Sequence, residues 1–135
     1  MSLVEIDKAT ANCFGIDVRD LTISEVHGYY ARGMLTPSML TRCYLKRIYY
    51  LNPYLGAVVA INRLATSFAE ADTSLPLYGI PILIKDNIAV NNMRTTAGSL
   101  FLYDIKPKHE ALVVQRLRKQ GAIILGKTNL SELSG

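Results

Sequence analysis

The chain has 135 residues, half of them hydrophobic and 19% charged, with a net charge of +4. That length suits one domain with a fair core, and the composition excludes a disordered chain. The basic residues are scattered, and the densest pairs, Lys46-Arg47 and Arg118-Lys119, lie in helix-like segments without interleaved aromatics. They describe solvated helix faces, so no nucleic-acid partner is expected.

In chain order, residues 1–19 read as a lead-in without a predicted element. A short helix is predicted over 20–33, with Thr22 as its cap, Glu25 three residues later and Gly33 as its stop. A second helix runs from Pro37 to Leu51: proline suits the first turn, and Leu40, Cys43, Tyr44, Ile48 and Leu51 recur at helical spacing. Asn52-Pro53 is expected to end it. The run "GAVVAI", 56–61, reads as a buried strand, residues 63–72 as a small helix, and "SLPLYG" as a connecting turn. "IPILIK", 80–85, is a second strand closed by Asp86-Asn87. Residues 108–120 form a helix with Ala111, Val114 and Leu117 on one side, Gly121 stops it, and "AIIL" follows as a third strand. Apolar strands alternating with helices indicate an α/β fold whose sheet is covered by helices on both faces. The strands at 80–85 and 122–126 are expected in one sheet, under the helices at 37–51 and 108–120.

Cys13 and Cys43 stand 30 positions apart with no CxxC and no nearby histidine, so they read as free thiols in a reducing compartment, without a metal site. The longest uncharged stretch, "IYYLNPYLGAVVAI", has 14 residues and is broken by Asn52 and Pro53, too short to span a bilayer. No basic and apolar leader opens the chain. The expectation is a cytoplasmic protein with no membrane partner, in which the acceptor pattern Asn129-Leu130-Ser131 stays unglycosylated.

"GAIILGKT", 121–128, satisfies the phosphate-loop pattern G-x-x-x-x-G-K-[ST]. That pattern needs a strand, then a flexible loop, then a helix. Here a helix precedes Gly121, and Ala-Ile-Ile-Leu between the glycines is strand-like. Nucleotide binding is therefore refused, with Lys127 expected on the surface at a strand end.

Lys85 closes an apolar run, and two readings are open. Its stem packs while its amine reaches water, or Ile80, Ile82, Leu83 and Ile84 desolvate the amine so that it serves as a base.

"PLYGIPILIKDNIAVNNMRTTAGS" followed by "ALVVQRLRKQGAIILGKTNLSE" resembles the N-terminal part of the amidase signature family. The matching features are G-[IV]-P, an apolar triplet, K-D-N, T-T-A-G-S, and then V-x-R-L-R-x-x-G-A-x-[IL]-L-G-K-T-N-x-S-E. Upstream, "DLTISEVHGYYARGMLTPSMLTRCYLKRIYYLNPYLGAVVAIN" is similar to the helical opening segment of these enzymes. The resemblance thus makes residues 20–135 part of an amidase-signature domain.

It implies a small-molecule amide substrate and a Ser-Ser-Lys mechanism without metal or organic cofactor. Lys85 is then the base acting on a bridging serine, which activates a nucleophilic serine. The family's two serines fall beyond "KTNLSE", and Ser99, Ser131 and Ser134 do not sit in a glycine-flanked elbow. The 135-residue chain alone is therefore expected to be an inactive, marginally stable N-terminal fragment of an amidase-type hydrolase. Glu110-Ala111 replaces the family's usual Asp-Ala, keeping an acid in the helix's first turn. The link between "AEAD" and "PLYGIP" is shorter than usual in the family. The opposing reading is a non-catalytic α/β binding or scaffolding fragment, and nothing in the sequence fixes an oligomeric state.

Overall fold

The computed structural model describes residues 1–66, 72–91, 93 and 110–129. Ser2 accepts a hydrogen bond from the Glu5 amide and starts helix α1, Leu3–Ala9, inside the stretch expected to be a plain lead-in. A two-residue pair of strands follows, β1 (Asn12–Cys13) and β2 (Ile16–Asp17), joined through Phe14 and Gly15. Helix α2, Ile23–Ala31, begins as its sequence predicts. The Thr22 hydroxyl accepts from the Glu25 amide, and the Glu25 carboxylate accepts from the Thr22 amide.

Helix α3 spans Pro37–Leu55 and passes through Asn52-Pro53, where a stop was expected. Proline removes one donor from the final turn, and the chain leaves the helix only at Gly56, whose φ of 59° is left-handed. Asn52 shapes that exit by bonding both the amide and the carbonyl of Val58.

Cys13 and Cys43 are joined in a disulfide, with their Cα atoms 5.8 Å apart. The expectation of free thiols is therefore corrected, and with it the argument for a reducing compartment. Sequence separation hid the pair, because β1 returns onto α3 only in the fold. Cys13 lies in a core with Ile16, Val18, Val26, Leu35 and Leu40. Arg47 of α3 clasps α1 through the Asp7 carboxylate at 2.7 Å.

The main sheet holds β3 (Val58–Ile61), β4 (Pro81–Lys85) and β5 (Ile123–Thr128), in the order β3-β5-β4. β4 runs parallel to β5, and β3 runs antiparallel to it. Helix α4, Leu112–Lys119, delivers the chain to β5 through Gly121. Gly121 has a φ of 98°, and a side chain there would meet the Tyr78 backbone at 2.7 Å.

The two faces of β5 are both dry. Ile123 and Leu125 pack with Ala65 against Tyr44, Leu45 and Ile48 of α3. Ile124 packs with Ile84, Val90, Met93 and Val114, beside Ala111 and Leu117 of the α4 side. The expected two-sided cover and the shared sheet are thus found. Residues 63–66 form a turn and residue 72 is not helical, so the helix predicted over 63–72 is not found in its described part. Residues 67–71 and 108–109 and the T-T-A-G-S block lie outside the described residues, and the predicted 108–120 helix begins only at Leu112.

Tyr49, Tyr54, Leu55, Val59 and Ile61 remain exposed along α3 and β3. Oxidised and reduced protein provide a direct check on the disulfide. Peptide mapping without reductant is expected to recover Cys13 linked to Cys43, and reduction is expected to cost about 3 kcal/mol of unfolding free energy. Identical melts with and without reductant would contradict the pairing.

Candidate active site

A strand sends alternate side chains to opposite faces, and this rule divides β4. Ile82 and Ile84 enter the core beneath α4, while Pro81 and Leu83 line an apolar groove on the α3 side. The groove has a volume of about 340 Å³ and is walled by Tyr44, Ile48, Leu51 and Leu125. Lys85 stands two residues beyond Leu83, at the carboxyl end of the strand, and its side chain is exposed. Of the two readings open for Lys85, the exposed side chain fits an amine that reaches water, and the described residues do not form the apolar enclosure of the other. The isoleucines that promised it face the other way.

The backbone of Lys85 is held firmly nonetheless. It pairs in parallel register with Thr128. The next amide, that of Asp86, donates to the Thr128 carbonyl at 3.0 Å, and the Ile88 amide donates to the Lys85 carbonyl at 3.0 Å. A tight turn therefore closes the strand directly after Lys85, through the Asp86-Asn87 pair that the sequence marked as turn residues.

The buried lysine is a different one. Lys127, expected on the surface, has no exposed area and lies 3.4 Å from the Asp86 carboxylate, itself 1% exposed. Burial pushes the Lys127 ammonium below the ordinary lysine range, and the attraction of Asp86 opposes part of that shift. Lys127 is opposite Ile84 in the ladder, which places it inside the sheet rather than past its end. The signal was present in the sequence as an acid and a base at the ends of two adjacent apolar runs. Without the register, nothing linked them.

The same strand disposes of the phosphate-loop reading. Gly126 and Lys127 are strand residues that follow α4, and a Cβ at Gly126 would run into the Ala60 carbonyl oxygen. Glycine is needed there for the close approach of β3, not for a ligand.

Glu110 also differs from expectation. It precedes the helix instead of occupying its first turn, and Ala111 offers no side-chain cap. The Glu110 carboxylate accepts from the Arg118 guanidinium at 2.8 Å and from the Asn91 amide at 3.3 Å. It thereby ties the segment after β4 to α4. Ser99, Ser131 and Ser134 lie outside the described residues. Among the described residues no group of three or more His, Cys, Asp or Glu is arranged to hold a metal ion.

A mixed sheet with helices on both faces, and a lysine at the carboxyl end of one of its parallel strands, makes this an α/β chain. The Amidase family pattern matches residues 39–134, so the chain belongs to the amidase family. It is 46% identical over 109 residues to a glutamyl-tRNA(Gln) amidotransferase subunit of Thermus thermophilus, covering 80% of this chain and 23% of that protein. The peptide amidase of Stenotrophomonas maltophilia superposes with a TM-score of 0.77 at 39% identity, over 84% of this chain and 26% of that one. An amidase family protein of Bacillus anthracis gives 0.80 at 31% identity, over 96% and 27%. The chain spans about a quarter of the length of these relatives.

Core and exposed positions separate along β4. Ile84→Ala is expected to lower stability by about 2–5 kcal/mol, because it empties a packed site. Lys85→Ala is expected to change it by no more than about 0.5 kcal/mol. Urea melts of the two variants decide this, and comparable losses would make Lys85 a structural residue.

Proposed function

We propose that this chain supplies the base of an amide-cleaving site and that Lys85 is that base. The observation that carries the reading is the position of Lys85: its backbone is fixed by Thr128 and by the turn after it, while its side chain is exposed and outside the core. A lysine so placed is not needed to fill the interior and is free to meet a reacting group. In α/β sheets, ligands gather at the carboxyl ends of strands.

The chemistry follows the Ser-Ser-Lys scheme that the sequence resemblance implies. The Lys85 amine accepts a proton from a bridging serine, which draws the proton from a nucleophilic serine attacking the amide carbon. Collapse of the tetrahedral intermediate leaves an acyl-enzyme, and the proton passes on to the departing nitrogen. Both serines belong to the larger amidase domain of which this chain corresponds to a quarter. Its exposed amine is accessible to such a serine. No cofactor enters the scheme, and the substrate is a small-molecule amide. Among the described residues no helix is long and apolar enough to cross a membrane. The Cys13–Cys43 disulfide argues against the cytoplasmic location that free thiols suggested, and the state of the pair in protein taken from cells tests this.

Turnover of short, aryl, fatty and peptide amides is to be compared for the 135-residue chain, for the chain joined to a complete amidase domain, and for the latter with Lys85→Ala. The short chain is expected to be silent, because a base without a nucleophile supplies little rate. The joined chain should be active and should lose at least about a thousandfold in kcat on Lys85→Ala. Hydrolysis by the short chain that vanishes on Lys85→Ala would place a nucleophile within these 135 residues. An indifferent joined chain would remove Lys85 from the mechanism and favour a binding or scaffolding role.

A further inference from the structure

Two full charges, Asp86 and Lys127, are withdrawn from water in the wall of the sheet, at the point where Lys85 leaves it. Such a pair gains little stability over apolar residues of the same shape, because desolvation of both ions offsets most of their attraction. Its place in the fold gives it another use. Asp86 follows Lys85 in the chain, and Lys127 precedes Thr128, the ladder partner of Lys85. The contact therefore joins the two strands on either side of the Lys85–Thr128 pair. It works together with the Asp86 amide, which bonds the Thr128 carbonyl.

We propose that the Asp86–Lys127 ion pair is a positioning device for Lys85, fixing the end of β4 so that the amine is aimed at its proton donor. The inference rests on the assignment of Lys85 as the base. Asp86 and Lys127 touch no reacting atom in this scheme. They act through the backbone of the strand end. An ionic lock suits that task because its attraction holds the turn in one register, whereas an apolar contact of equal size tolerates sliding. Other charged groups about the sheet have their own partners: Arg47 on the α3 side meets Asp7, and Glu110 beside α4 meets Arg118.

The test uses the chain within a complete, active amidase domain and measures kcat, KM and the melting midpoint. The variants are Lys85→Ala, Lys127→Met, the neutral double variant Asp86→Asn/Lys127→Met, and Lys127→Met combined with Lys85→Ala. Lys127→Met alone leaves a buried carboxylate without its ammonium and lowers the midpoint. The neutral double variant removes both charges, keeps the shape and recovers the midpoint. Its kcat is nevertheless expected to stay about a hundredfold below the parent with KM within about threefold, the loss typical of a small misplacement of a catalytic group. In the Lys85→Ala background, Lys127→Met is expected to cost no further kcat, because there is no base left to aim.

Recovery of kcat together with stability in the double variant would overturn the proposal, as would losses that multiply in the combined variant. A parent kcat unchanged by Lys85→Ala would overturn the assignment of the base and this inference with it. A drop on Lys85→Ala with an unaffected neutral double variant would overturn the inference alone.

Discussion

Strand β5 has water on neither face and a neighbour on both sides, and the rest of the molecule is arranged by that requirement. Five of its six residues are buried. One face demands α3 and the other demands α4, so the two helices are fixed on opposite sides of the sheet. The backbone groups of β5 must be matched along the strand, which fixes the registers of β3 and β4. Gly126 shows how tight the fit is, since it lets the Ala60 carbonyl approach where a methyl group could not. A central strand of this kind can place a residue on its neighbour to within one register step. Lys85 is that residue.

A sheet interior strongly disfavours a buried ammonium, and Lys127 is buried all the same. The Asp86 carboxylate compensates it, and the two meet because β4 and β5 are parallel and in register at their carboxyl ends. The lysine that resembles the family's base and the lysine that is buried are thus different residues. Lys85 keeps its amine accessible. Lys127 holds its charge inside the wall.

Much of the fold was legible because apolar runs bounded by turn residues are unambiguous when both faces are buried. "IPILIK" and "AIIL" became neighbouring strands, and Val114 and Leu117 became the inner side of α4, with Ala111 packed beside them at its cap. The capping box at Thr22 was written in two residues and formed as written. What failed depended on contacts distant in sequence. The Cys13–Cys43 bond needs β1 folded back on α3, and the burial of Lys127 needs a register that no local pattern encodes. Pro53 failed for the opposite reason, since a strong local rule overstated its effect on a final helical turn. For the site, the strand-end position of Lys85 could be read, and its exposed amine was one of the two readings open. The neighbouring isoleucines lent weight to the other, although period-2 alternation sends Ile82 and Ile84 away from it.

The most direct measurement is a structure of the complete amidase domain containing this chain, with a covalently bound acyl inhibitor. The account predicts the Lys85 amine within hydrogen-bond distance, about 2.6–3.2 Å, of a serine hydroxyl that in turn reaches the acylated serine. It also predicts that Asp86 and Lys127 remain paired in the wall behind it. A Lys85 amine directed into solvent, with another side chain bridging the two serines, would contradict it.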